Sequence, residues 1–368
     1  MKAPIITSLL FVAPLCLAQS PPEWTFGGYL DVYYQYDMGR PASGDNVNGR
    51  GFDIAHNRFR IAVAELDIAK TPTSKSPLGL TLQLYGGKNA ELIHLAEPGG
   101  KDKYRYIRQA YLSYAPPNSK NGLQVDLGKF DTWIGYEGVD NRYQDQYGRS
   151  FNWTYSEPTY ETGLRVLGKL NDKLTGAFFL VRGWNEVEDG NGSPSFGVAL
   201  TYGVSPKTTV TLQNHYGDEG SDRINGAGSY GGVGFPNAGT AKVHLVDLIV
   251  SYQLSDKTKV ALNIDHAHAV GGANDGSWNG EVVYVKHQVS ADKTAAFRFE
   301  RMEDQNGLRA GLPIQFYSAT GNYDWALHKN VVLRLELRRD FASQAFFNSD
   351  SGLTRNRTTI SFAAIVKF

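Results

Sequence analysis

Charged and aromatic residues crowd one segment of the chain, where Gly135-Tyr136-Glu137-Gly138 leads into Asp140, Arg142, Asp145, Tyr147, Arg149, Phe151 and Trp153. A second set of charges, Arg58, Arg60, Arg298, Arg334, Arg338 and Arg357, sits inside stretches that are otherwise apolar at alternate positions. If Glu137, Asp140 and Asp145 line one side of an aqueous constriction and these arginines the other, the two walls set up a transverse field. Such a field orients dipolar solutes and disfavours apolar ones. The same charges can instead pair with neighbours and hold a loop or wall in place. Tyr136, Tyr147, Phe151 and Trp153 carry a similar ambiguity, since they can form a stacking track or pack the loop. Catalytic chemistry has weaker support. His266 and His268 flank Ala267 and share one face of a strand, but Asp265 and Asp275 are the only further ligand candidates nearby, which is short of a metal site. His215, His244 and His287 also lie on strands, and no nucleophile motif accompanies them. The expectation is therefore no enzyme, no cofactor and no metal.

The elements that must position these residues are short, alternating strands. Leu30, Val32, Tyr34 and Tyr36 alternate with Asp31, Tyr33, Gln35 and Asp37. Leu164 and Val166 stand against Glu161 and Arg165, Phe297 and Phe299 against Arg298 and Glu300, and Val331, Leu333, Leu335 and Leu337 against Arg334, Glu336 and Arg338. Period two marks a strand with two different environments. A soluble core does not accept the charged face, whereas a barrel with a wet lumen does, leaving the apolar face to lipid. Strands are expected at about 26–38, 56–69, 79–87, 105–115, 122–133, 160–170, 173–184, 195–204, 207–217, 243–254, 257–269, 278–290, 293–304, 313–327, 330–342 and 356–368, sixteen in all. Short turns such as Asn171-Asp172-Lys173, Ser205-Pro206-Lys207-Thr208 and Ser255-Asp256-Lys257-Thr258 alternate with long segments rich in Gly, Asn and Asp. That asymmetry, with both chain ends on one side, predicts an all-β fold: a transmembrane antiparallel β-barrel with short periplasmic turns and long external loops. Tyr114, Tyr202, Tyr252, Tyr323 and Trp325 near strand ends suit interfacial girdles.

Both termini agree with this address. Met1-Lys2, the apolar run Ile5 to Leu17 and Leu17-Ala18-Gln19 read as a signal peptide over 1–18, leaving 19–368 as the barrel. The single cysteine, Cys16, falls inside the signal, and Leu15 before it argues against lipidation. The chain ends in alternation on Phe362, Val366 and Phe368, which resembles the terminal signal read by the outer-membrane barrel assembly machinery. Basic and acidic residues number 37 each, so removing Lys2 with the signal leaves one more acid than base. Such a balance offers no attraction to nucleic acid. The partners expected are outer-membrane lipid, the assembly machinery and small hydrophilic solutes, in the outer membrane of a Gram-negative bacterium.

Gly128-Lys129-Phe130, Gly135-Tyr136-Glu137 and Tyr147-Gly148-Arg149-Ser150 resemble the beta-barrel porin family described as OmpL-like, over nearly the whole mature chain. The resemblance implies an outer-membrane porin, a channel for passive diffusion of small hydrophilic solutes or ions. In general porins the loop after the fifth strand folds inward, which here points to about 134–159. Porins of sixteen strands are usually homotrimers, so a homotrimer is expected by analogy. Alternative readings are a substrate-specific channel, of the sugar type, and an outer-membrane enzyme or adhesion scaffold with a closed lumen.

Overall fold

The computed structural model describes residues 24–95, 97, 100–119, 121–188, 191–219, 242–271 and 275–368. The expected signal peptide, its cleavage point and Cys16 lie outside the described residues. Sixteen strands close a single antiparallel barrel: β1 Trp24–Asp37, β2 Arg58–Lys70, β3 Leu78–Gly86, β4 Ile107–Tyr114, β5 Gln124–Asp131, β6 Tyr160–Lys169, β7 Leu174–Val181, β8 Ser195–Ser205, β9 Thr208–Asp218, β10 Lys242–Gln253, β11 Thr258–Val270, β12 Gly276–Gln288, β13 Lys293–Asp304, β14 Ile314–His328, β15 Val331–Ala342 and β18 Asn356–Lys367. Each strand pairs with its sequence neighbours in the barrel. β18 closes the ring on β1, with Tyr34 opposite Phe362 and Tyr36 opposite Ile360. A two-stranded hairpin, β16 Phe347–Ser349 and β17 Gly352–Thr354, decorates the last external loop, and the sequence pattern had not indicated it.

The seam needs a glycine. Gly28 and Phe368 exchange backbone hydrogen bonds of 3.2 and 3.1 Å. A Cβ on Gly28 would lie 2.2 Å from the Glu65 carbonyl oxygen and 2.7 Å from the Phe368 ring. Only a residue without a side chain lets the terminal aromatic close this corner.

Alternation decides the two faces. On β15, Arg334, Glu336, Arg338 and Asp340 are buried toward the lumen while Leu335 and Leu337 are exposed outward. On β18, Arg357, Thr359 and Ser361 face in, and Ile360, Phe362 and Val366 face out. The outward tyrosines at 114, 202, 252 and 323 and Trp325 are likewise exposed. Turn chemistry is local: the Asn171 side chain accepts from the Lys173 and Leu174 amides at 2.9 and 3.0 Å, and Ser255 Oγ accepts from Thr258 N at 3.1 Å. These side-chain bonds stand in for a ladder that has to reverse within a few residues.

Candidate functional site

The segment between β5 and β6 crosses the barrel interior. It leaves β5 through Trp133, whose ring stacks on Phe179 with centroids 3.9 Å apart and whose Nε1 donates to the Asn214 carbonyl at 3.0 Å. Gly197 makes room for that ring, since a Cβ there would come within 2.0 Å of it. The Gly135 amide then donates to Gln213 and the Tyr136 amide to Asn263, at 3.0 and 2.9 Å. Asp140 caps a single 3-10 turn, Asn141–Tyr143, by accepting from Arg142 N at 2.9 Å. Ser150 caps the short helix α1, Phe151–Ser156, by accepting from Trp153 N at 2.9 Å. Ser and Asp suit these positions because their oxygens satisfy amides that a helix start leaves unpaired.

The acidic residues of this segment meet cations directly. Glu137 pairs with Arg298 at 2.6 Å and also accepts from the Ser150 amide at 2.7 Å. Asp140 lies 2.8 Å from Arg108 and 2.6 Å from Arg142, and these guanidiniums reach on to Glu65 and Asp67 of β2. Asp145 pairs with Lys286 at 2.7 Å and accepts from the Tyr136 hydroxyl at 2.9 Å. Burial would raise the Asp140 and Asp145 carboxyls, but Arg108 with Arg142, and Lys286, hold them below the usual carboxylate range. Of the two arrangements open to these charges, the contacts follow the paired one: the loop acids meet their partners directly, because the loop lies against the wall that carries them.

The expected basic residues divide accordingly. Arg298 also donates to the Gly148 carbonyl at 2.7 Å. Arg334 binds Asp324 and donates to the Gln144 carbonyl at 2.9 Å, and Arg338 binds Asp340 and donates to the Arg149 carbonyl. Arg357 joins Asp340 at 3.0 Å and the Asn48 carbonyl at 2.6 Å, within the first external loop. Arg60 pairs with Asp45 nearer the mouth. Arg58 departs from the group: it is exposed at the external rim, 3.3 Å from Ser43 Oγ, since β2 begins there. The aromatic residues Tyr136, Tyr147, Phe151 and Trp153 are all buried, with Phe151 stacked on Phe316 at 4.5 Å, so they pack the segment onto the wall.

Several residues of this network were not among the candidate site residues. Glu336 accepts from the Tyr147 and Gly148 amides at 2.7 and 3.1 Å, and Glu300 accepts from Phe151 N at 2.5 Å. Arg50, in the segment between β1 and β2, is fully buried between Asp53 and Asp340 at 2.9 and 2.8 Å. Glu157, Asp247 and Asp265 bring carboxylate oxygens within 4.8 Å of one another, and Asn152 Nδ2 donates to Asp265 and Glu157 at 2.7 and 3.1 Å. Burial, with Asp265 and Asp247 beside it, pushes the Glu157 carboxyl well above the usual range. These carboxyls sit close enough to share protons.

A closed antiparallel sixteen-stranded barrel, apolar outside and charged inside with a loop folded into its lumen, defines an outer-membrane channel protein. Residues 23–368 match the family described as "Putative beta-barrel porin-2, OmpL-like", and the chain belongs to that family: it is a porin of the bacterial outer membrane. Among curated proteins no sequence matches. Solved structures of similar fold include an anion-selective porin from Comamonas acidovorans, with a TM-score of 0.59, 12% identity and coverage of 94% of this chain and 99% of that one. The outer-membrane channel DcaP of Acinetobacter baumannii is similar at a TM-score of 0.59 and 12% identity, covering 94% and 97%. OmpT of Vibrio cholerae, in its trimer form, has a TM-score of 0.58 and 10% identity, covering 94% and 99%. At these identities the likeness concerns the fold.

Proposed function

We propose that this porin is a narrow diffusion channel for small hydrophilic solutes or ions, whose passage is set by the segment 132–157. One observation carries the reading. Asp31 on β1, His215 on β9, Asp247 on β10, Arg298 on β13 and Arg338 on β15 point inward from well-separated parts of the wall, and all five are 0% exposed. A sixteen-stranded barrel is wide enough to leave such side chains wet, so the loop must displace the water from the middle of the lumen. Selectivity then belongs to whatever charges remain along the loop's margin, with Glu137, Asp140, Asp145 and the arginines at 298, 334 and 338 acting mainly to hold the loop. Single-channel conductance in a planar bilayer tests this. The wild-type protein should give small steps, and deletion of Val139 to Ser150 should raise conductance severalfold; unchanged conductance with the same solute cut-off would place the passage elsewhere.

The sugar-track alternative loses support because its four aromatic rings are covered. Hydrolase chemistry is disfavoured by hydrogen bonding at a Ser-His-Glu cluster of the described residues: Ser195 Oγ donates to Glu219 at 2.5 Å, and His215 meets the same oxygen at 2.7 Å. The carboxylate lies between the hydroxyl and the imidazole, whereas a nucleophilic serine needs the imidazole as its base. A homotrimer and recognition of Phe362, Val366 and Phe368 during assembly complete the proposal. Sedimentation in detergent tests the first, and outer-membrane yield on removing Phe368 tests the second.

A further inference from the structure

His266 and His268 lie on the outward face of β11, and the register of the β10–β11 hairpin sets His244 directly opposite His268. The His244 and His268 ring centroids are 5.5 Å apart and those of His266 and His268 are 6.3 Å apart. Of the eight histidines in the chain, three thus gather on one patch. Asp265, the carboxylate beside them in sequence, faces the lumen and is no part of this group. Below the patch the outward residues are Val246, Leu248 and Val250 on β10 and Ile264, Leu262 and Val260 on β11. The imidazoles therefore form the first polar tier above the lipid-facing band, toward the external end of the strands.

We propose that His244, His266 and His268 bind a divalent transition-metal ion of the zinc, nickel or copper class at the external rim of the barrel. Three neutral imidazoles with an open fourth position for water are a donor set such ions favour. His266 is already oriented: its Nδ1 lies 2.5 Å from Asn279 Oδ1. An amide oxygen can only accept, so Nδ1 carries the proton and Nε2 keeps its lone pair for a metal, as in sites where an outer partner sets the tautomer. Tyr216 supports His244 from the other side with an edge-on ring at 6.1 Å. The three ligand nitrogens do not all lie within 4.8 Å of one another as the rings stand, but the broad χ2 wells of histidine let cross-strand neighbours and residues two apart on one face converge on one ion. Arg301, a guanidinium on the outer face of β13, is committed to Glu281 and Glu303 at 3.2 and 2.6 Å.

The test is a titration of the refolded full barrel in detergent with Zn2+ against a chromophoric competing chelator at pH 7.5, with Ni2+ as a second probe. One equivalent should bind, and binding should weaken at least tenfold in H244A and in H268A. H287A, on a histidine at the opposite end of its strand, should bind as the wild type does. Should the alanine variants not refold, judged by heat-modifiable gel mobility, H244Q and H268Q serve the same comparison. A wild-type titration indistinguishable from that of the triple variant, or no binding by the wild type, overturns the proposal.

Discussion

The central loop is held by two unlike surfaces. Toward β13 and β15 its contacts are ionic: Arg298 to Glu137, Glu336 to two loop amides and Arg338 to a loop carbonyl. At its root and at helix α1 they are aromatic: Trp133 on Phe179, Phe151 on Phe316, and Tyr155 on Phe316 at 5.3 Å. The difference lies in what happens when half a contact is removed. A buried charge that loses its partner is worse than no pair at all, because the remaining ion has given up its water. A stacked ring that loses its neighbour leaves a cavity, and losing both leaves a larger one. The ionic surface thus specifies one placement of the loop, while the aromatic surface supplies attraction.

The largest expected effect follows from that asymmetry. Arg298→Ala, which strands Glu137 at a position 5% exposed, should destabilise the docked loop by about 3–5 kcal/mol. The double variant R298M/E137Q should recover much of that loss, seen as a return of both the urea midpoint and the wild-type conductance. Trp133→Ala should cost about 3 kcal/mol, and here the double variant W133A/F179A should be worse than either single change. If the ionic double mutant were also worse than its singles, the distinction between the two surfaces would fail.

The barrel was legible in the sequence because its information is local. Alternation across Val331–Arg338 assigns the faces, and Ser255-Asp256-Lys257-Thr258 assigns a turn, without knowledge of anything distant. The loop's partners were not legible, since Glu137 and Arg298 meet across 161 positions and nothing in either neighbourhood specifies the other. Arg50 was hidden for a different reason: a charge in a Gly- and Asn-rich loop reads as solvated until the loop is seen folded against β15. His244 stands between these cases. Its place opposite His268 follows from the turn at Ser255–Thr258, so carrying the register back along the hairpin would have found the third imidazole.

A smaller effect concerns pH at the far end of the loop. Glu157 faces Asp247, Asp265 and Asn152, and Glu137 also acts on its carboxyl. Its carboxyl is raised in the docked state, so docking binds a proton more tightly than the free loop does. That stability is fully present below the ordinary glutamate range and declines as pH rises through the raised value. Conductance should accordingly increase as pH is raised. Glu157→Gln should keep the low-pH conductance at every pH, because the amide cannot ionise. An unchanged pH profile in E157Q would move the effect to another group.

The smallest effect is expected at the mouth. Arg60 and Asp45 lie 2.5 Å apart, as close as the buried pairs, but their side chains are 25% and 21% exposed. Water and salt screen such a pair, so Arg60→Ala should change stability by about 0–1 kcal/mol. Its consequence should instead be electrostatic: losing a cation from the external opening should shift the reversal potential toward cation preference at low salt, and the shift should shrink in molar salt as the Debye length contracts. Measured beside R298A, this variant separates distance from burial. A stability loss in R60A as large as that of R298A would mean that proximity alone sets the strength of these pairs, and the loop's ionic surface would lose its claim to a special role.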